Sequence, residues 1–260
     1  MADLGDRRLY LCVPDRPDLE WFVASCIAGG VDLVQLREKE LDDRRLLARA
    51  ELVRRVCAEA QVPFVMNDRP DLALAAGADG VHVGQDDVPP AVARRIVGDD
   101  AIVGLSTHAQ AQLLASLDEP VDYVSAGPVA PTPTKPGRPG VGLDYVRFAV
   151  GRAGRPVFVT GGASPATVAG IVGAGARRVV AVRWLTEAPD PEAAARLLRR
   201  TLDAAIAEAE AGEAADPSPG LATERGRGVR AGPNRRGAAA SPSGGPPPGG
   251  RGAAGGRRWG

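Results

Sequence analysis

Leu9-Tyr10-Leu11-Cys12-Val13, then Leu19, Phe22, Val23, Cys26 and Ile27, then Asp32-Leu33-Val34-Gln35-Leu36 form the stretch that decides the fold. The first and last segments are short, apolar and partly β-branched, as strands are. The residues between them fall at i, i+3, i+4, i+7 and i+8, one face of an amphipathic helix. Strand, helix and strand in that order make the unit of a parallel sheet, because parallel neighbours need a long crossover.

The texture repeats outward from there. Strand-like runs recur at 9–13, 32–36, 63–66, 80–83, 102–105, 123–126, 157–160 and 179–182. Leu198, Leu202, Ala205 and Ile206 repeat the helical spacing near residue 200. Asp190-Pro191-Glu192 supplies a cap, a first-turn proline and an early carboxylate, and Ser164-Pro165 reads as a second cap and proline. Eight strand–helix pairs in about 210 residues predict an α/β fold, a single closed (β/α)8 TIM barrel near the small end of its size range. An open doubly wound sheet is the alternative. No Gly-x-Gly-x-x-Gly fingerprint follows the first strand, which counts against a dinucleotide-binding version of it.

Composition sets the limits of this domain. The 260 residues carry 32 basic and 32 acidic side chains, but residues 216–260 hold eight Arg against two acids, with 13 Gly and 7 Pro. Such a segment cannot bury enough apolar surface to offset its ordering entropy, so 216–260 reads as a disordered tail and 1–215 as the barrel. The remaining 24 basic and 30 acidic residues make the barrel acidic, a poor general binder of nucleic acid. Arg225-Gly226-Arg227-Gly228 weakly resembles RNA-contacting segments, leaving contact by the tail open, though a solvated linker is the preferred reading. No run has the roughly 18 apolar residues of a membrane span, and the apolar run behind the charged N-terminus is too short for a signal peptide. Cys12, Cys26 and Cys57 lie far apart in apolar surroundings, which suits free thiols in a cytoplasmic protein.

In a barrel, chemistry gathers where the strands end. The second run ends in Gln35-Leu36-Arg37-Glu38-Lys39, the third in Asn67-Asp68-Arg69, and the fourth is followed by Gln85-Asp86-Asp87. Ser106 ends the fifth. A long Gly- and Pro-rich interval, 127–142, follows the sixth and carries Thr132-Pro133-Thr134-Lys135. It reads as a mobile flap. Gly161-Gly162 ends the seventh, ahead of the expected Ser164-Pro165 helix start. Asp68 and Asp87 are hard oxygen ligands suited to Mg²⁺ together with substrate phosphates. Arg37, Lys39 and Lys135 could clamp phosphate oxygens, and backbone N–H groups after Gly161-Gly162 could hold another anion. The site thus has room for two phosphate-bearing groups, one with a metal.

Each group has a plainer reading. Arg37-Glu38-Lys39-Glu40 could be a solvated helix start, and Asp87, Asp68 or Asp71 a helix cap. The glycine pair could be a turn. His82 alternates with Val81 and Val83 and reads as a core histidine with a satisfied hydrogen bond, and His108 as the start of a helix. Neither histidine is given a catalytic role. The case for a site rests on all the groups sharing one rim.

Val34-Gln35-Leu36-Arg37-Glu38-Lys39, Asn67-Asp68, Gly80-Val81-His82-Val83-Gly84-Gln85-Asp86-Asp87, Gly127-Pro128 with Pro131-Thr132-Pro133-Thr134-Lys135, and Gly161-Gly162 together resemble the thiamine phosphate synthase family, in order, from about residue 8 to 210. The resemblance implies a transferase that joins a hydroxymethylpyrimidine diphosphate to a thiazole ethyl phosphate or its carboxylated form, with Mg²⁺ as cofactor. It implies that Gln35, Leu36, Arg37, Glu38, Lys39, Asn67, Ser106 and Lys135 hold the pyrimidine diphosphate. Within that set Arg37, Lys39, Lys135 and Ser106 would be catalytic. Asp68 and Asp87 would hold the metal, and Thr132, Pro133, Thr134, Gly162, Val182 and Arg183 the thiazole phosphate. The partners it implies are phosphorylated small molecules, with homo-oligomerisation open. Many members have a small Ser where this chain has Arg183 before Trp184. Competing readings are a thiazole tautomerase, which has no use for a metal and diphosphate set, a non-catalytic thiamine phosphate binder, and an unrelated phosphate-binding barrel.

Overall fold

Alternation along each strand sorts the side chains of this molecule into two cores. The structure, a computed structural model, describes residues 4–131 and 139–215. Its elements run β1 (Leu9–Val13), α1 (Leu19–Ala28), β2 (Leu33–Leu36), α2 (Asp43–Glu59), β3 (Phe64–Asn67), α3 (Pro70–Ala76), β4 (Gly80–Val83), α4 (Pro90–Val97), β5 (Ile102–Thr107), α5 (Gln110–Ala115), β6 (Tyr123–Ala126), α6 (Gly142–Arg152), β7 (Val157–Val159), α7 (Val168–Gly173), β8 (Arg178–Ala181), α8 (Arg183–Thr186) and α9 (Pro191–Ala215). All neighbouring strands are parallel, and β8 pairs back onto β1 to close the barrel.

Successive strand residues face opposite sides. Leu9, Leu11 and Val13 of β1, Val34 and Leu36 of β2, and Phe64 and Met66 of β3 pack outward into the layer between barrel and helices. Tyr10, Cys12, Leu33, Val65, Ile102, Tyr123, Phe158 and Val180 point inward and form a separate cluster that fills the barrel. Three of its rings meet edge-on, Tyr10–Phe158 at 5.3 Å and Tyr123–Phe158 at 5.2 Å between centroids. Gly104 makes space for this packing, since a Cβ there would overlap the Tyr123 ring.

The helix faces follow their spacing. Leu19, Phe22, Val23 and Cys26 are buried on α1, and Leu198, Leu202 and Ile206 on α9. Asp190 caps α9 by accepting from the Ala193 N–H at 2.9 Å. The Ser164-Pro165 start is corrected. The Thr167 hydroxyl and the Ser164 backbone close a turn first, so α7 begins only at Val168. No described helix is long and apolar enough to cross a membrane. The 216–260 tail and the middle of the flap, residues 132–138, lie outside the described residues.

Candidate active site

Inward-facing positions near the strand ends line a cavity of about 350 Å³. Gln35, Arg37, Lys39, Asn67, Asp68, Asp87 and Ser106 all border it. The same alternation puts Leu36 elsewhere, in the outer core. The Glu38 carboxylate turns back on its own loop and accepts from the backbone N–H groups of Asp15, Lys39 and Glu40 at 3.1, 2.7 and 2.7 Å. Burial pushes its pKa up, but these three donors outweigh that and hold it below the usual carboxylate range. Neither Leu36 nor Glu38 lines the cavity.

The carboxylates form the acidic corner. Asp68 sits at the end of β3 with φ at +62°, a left-handed backbone that is rare outside glycine and tends to mark functional positions. Its N–H donates to the His82 carbonyl at 2.8 Å, and its Oδ2 lies 2.7 Å from Lys39 Nζ. Asp87 accepts from the Gly84 N–H at 2.7 Å. Neither capping reading holds, because the caps of α3 and α4 are Arg69 and Pro89 without a side-chain bond. The two carboxyls act on each other's ionisation. Burial and the neighbouring Asp87 carboxyl hold Asp68 above the usual range despite Lys39. At Asp87 burial also opposes ionisation, yet the Asp68 carboxyl, the Gly84 N–H and the charge of Lys39 hold it below. The two carboxyls are therefore pushed apart in their titration, Asp68 upward and Asp87 downward.

Two groups on the walls point to a ligand. The half-buried Arg37 guanidinium has no hydrogen-bond or ion-pair partner among the described residues. Asn67 Nδ2 is buried without an acceptor, a costly state for a donor unless something fills the cavity. Ser106 Oγ is 2.9 Å from His82 Nε2, and its carbonyl accepts from Gln85 Nε2 at 2.6 Å.

A second cavity of about 590 Å³ adjoins the first, and Thr160, Val180 and Val182 line both. Gly161, Gly162, Arg183 and Trp184 line its far part. Gly161 and Gly162 each have φ at +94°, and a Cβ on Gly161 would strike Pro128, so the loop passes close under the root of the 127–142 segment. The backbone groups facing this cavity belong to that loop, since α7 starts farther on. Trp184 Nε1 donates to the Ala194 carbonyl at 3.0 Å and pins α8 against α9. Arg183 is exposed and has no ion-pair partner among the described residues. Thr132, Pro133, Thr134 and Lys135 lie outside the described residues.

The structure adds residues that the sequence reading passed over. Tyr10, Cys12, Ser125 and Thr160 line the first cavity, and alternation along their strands would have found them. His82 is buried with both ring nitrogens bonded, as a core histidine should be, yet it also borders the cavity. His108 precedes α5 instead of opening it, bonds to the Gly127 carbonyl through Nδ1, and also lines the cavity. No sequence signal distinguished it.

Residues 9–185 match the family model described as thiamine monophosphate synthase. The chain is 48% identical over 210 residues to the thiamine-phosphate synthase of Acidothermus cellulolyticus, covering 78% of this chain and 99% of that one. It is 48% identical over 203 residues to a thiamine-phosphate synthase of Thermus thermophilus, covering 75% and 97%. The solved thiamine phosphate pyrophosphorylase from Pyrococcus furiosus superposes with a TM-score of 0.71 at 27% identity, over 78% of this chain and 98% of that one.

Proposed function

Because the chain belongs to the thiamine monophosphate synthase family, we propose that it joins a hydroxymethylpyrimidine diphosphate to a thiazole ethyl phosphate, giving thiamine phosphate and diphosphate, or to its carboxylated form, in which case CO₂ is released as well. The observation that carries this is the pair of adjoining cavities with Thr160, Val180 and Val182 as common wall. One is rich in cations and carboxylates and suits a diphosphate. The other is bordered by a glycine loop and suits a single phosphate. A bond between two ligands can form only where their sites meet.

The reaction needs no side-chain nucleophile. Departure of diphosphate leaves a cation stabilised by the aminopyrimidine, and the thiazole nitrogen attacks it. Arg37 and Lys39 neutralise charge on the departing group, and Lys135 is proposed to join them from the flap. Ser106, Gln35 and Asn67 orient the pyrimidine. Gly162, Val182 and Arg183, with Thr132, Pro133 and Thr134, hold the thiazole phosphate. Asp68 and Asp87 fit Mg²⁺, which commonly takes one or two carboxylates and fills its shell with phosphate oxygens and water. Bound there, the metal would supply charge neutralisation for the diphosphate oxygens. The three buried free thiols suit a cytoplasmic setting.

The test is product formation by the purified chain. Both substrates are mixed with and without Mg²⁺, and thiamine phosphate is read by oxidation to fluorescent thiochrome. Metal-dependent product is expected. Isomerisation of the thiazole phosphate alone, without coupling, would replace this reading with the tautomerase.

A further inference from the structure

A line of hydrogen bonds crosses the barrel beneath the first cavity and joins two residues on its opposite walls. Cys12 Sγ donates to Gln35 Oε1 at 3.4 Å, and Gln35 Nε2 donates to the Tyr10 hydroxyl at 2.5 Å. The hydroxyls of Tyr10 and Tyr123 are 2.9 Å apart, and that of Tyr123 is 2.9 Å from His82 Nδ1. His82 Nε2 completes the line to Ser106 Oγ at 2.9 Å, with Ser125 Oγ at 3.5 Å beyond. All these side chains are buried.

Each link holds one hydrogen, so the chain has a direction. The thiol is a donor, which turns Gln35 Oε1 toward it and Nε2 toward Tyr10. Tyr10 then accepts, and gives its own hydrogen to Tyr123. Tyr123 gives its hydrogen to Nδ1, which leaves the imidazole hydrogen on Nε2. The opposite direction would set the Gln35 NH₂ against sulfur, a weaker acceptor. Burial raises the pKa of both phenols well above the usual phenol value, so neither breaks the chain by ionising. A hydrogen on Nδ1 would instead be donated to Tyr123 and turn the Tyr123 hydrogen back onto Tyr10, whose own hydrogen would then have no acceptor while Gln35 keeps this orientation.

We infer that Tyr10, Tyr123 and His82 are positioning residues: they fix the His82 ring with its hydrogen on Nε2, and so turn the Ser106 O–H into a donor aimed at the cavity. Ser106 takes the His82 hydrogen on one lone pair and keeps its own for an acceptor atom of the ligand. Across the cavity Gln35 has its second N–H left for the same ligand. The direction of one wall is thereby tied to that of the other. The catalytic consequence rests on the synthase reading, but the tautomer does not.

The experiment has two arms on the full chain. In the first, ¹⁵N-histidine NMR without ligand reads the tautomer, with His82 assigned by its loss in His82→Gln. The wild-type ring is expected to carry its hydrogen on Nε2, and Tyr123→Phe to shift population toward Nδ1. A ring already protonated on Nδ1, or unmoved by Tyr123→Phe, overturns the inference. In the second arm, Gln at position 82 can accept from Tyr123 and donate to Ser106, whereas Leu can do neither. His82→Gln is expected to keep kcat within about threefold, and His82→Leu to lose roughly tenfold or more at near-constant KM, the scale of one oriented hydrogen bond. Equal losses in the two variants overturn the positioning role. A wild-type chain that forms no product defeats the synthase reading, while the NMR arm still decides the chain.

Discussion

Lys39 Nζ lies 2.7 Å from Asp68 Oδ2, so the cation that ends one strand answers the carboxylate that ends the next. Mg²⁺ held by Asp68 would compete with this contact, and the neighbouring Asp87 carboxyl works against ionisation of Asp68. Asp68 is held above the usual carboxylate range, so just above that range the folded chain still carries a proton that the metal has to expel. Affinity for Mg²⁺ is expected to fall as pH falls through that window, with release of a proton. Calorimetry in two buffers of different ionisation enthalpy measures this. Affinity that is flat with pH, without proton release, would remove the pair from the metal site.

The same pair sets a stability cost. A carboxyl whose folded pKa is raised contributes stability that is present below its unfolded value and lost as pH rises through its folded value. Asp87, whose folded pKa is lowered, contributes in the opposite sense, and that stability is lost as pH falls. Asp68→Asn removes the first effect. It is expected to melt higher than wild type near neutral pH, and the difference should vanish in acid. Its metal-dependent turnover should fall by about 100-fold or more, since one ligand of a charge-neutralising ion is lost. Thermal melts across pH, set beside kcat, separate the two effects, and a lower melting point at neutral pH would contradict the first.

Barrel and rim were legible in the sequence for different reasons. Buried parallel strands must be apolar, and their crossovers must be helical, so β1 to β8 each appear where an apolar run predicted one. Ser164-Pro165 misled because a Ser-to-Thr turn offers the backbone the same bonds as a helix cap. Within the motif at β2, Gln35, Arg37 and Lys39 reach the cavity, whereas Leu36 and Glu38 do not. That distinction was available from two-residue periodicity. Tyr10 and Tyr123 looked like ordinary core aromatics, because a hydroxyl's partner from a distant strand leaves no local trace. His108 was illegible for a similar reason, since its partner Gly127 lies across a strand pair.

Gly104 and Tyr123 test the interior directly. Gly104 pairs with His82 across β4 and β5, and a Cβ on it would enter the Tyr123 ring. Gly104→Ala must push that ring aside or move the strand. Overpacking of this kind costs roughly 1–3 kcal/mol. The variant is expected to melt several degrees below wild type and to lose activity as the hydroxyl leaves His82. A double variant, Gly104→Ala with Tyr123→Leu, should recover much of the stability without recovering the activity. A single variant as stable and active as wild type would mean the ring is not confined.

Arg183 decides how the second cavity grips its ligand. The guanidinium is exposed at the cavity edge, with no ion-pair partner among the described residues. Water screens such a charge, so its contribution to holding a phosphate is modest. The loop at Gly161 and Gly162 can contact the same anion through backbone N–H groups, which a substitution at residue 183 leaves in place. Arg183→Ala is therefore expected to raise the KM for the thiazole phosphate by about three- to tenfold and to leave kcat unchanged, the pattern of an interaction equal in ground and transition states. Steady-state kinetics at saturating pyrimidine diphosphate measures this at two ionic strengths. The gap between variant and wild type should narrow in high salt, as it does for exposed charges. An unchanged KM at low salt would leave the phosphate to the backbone and make Arg183 a bystander at the cavity mouth.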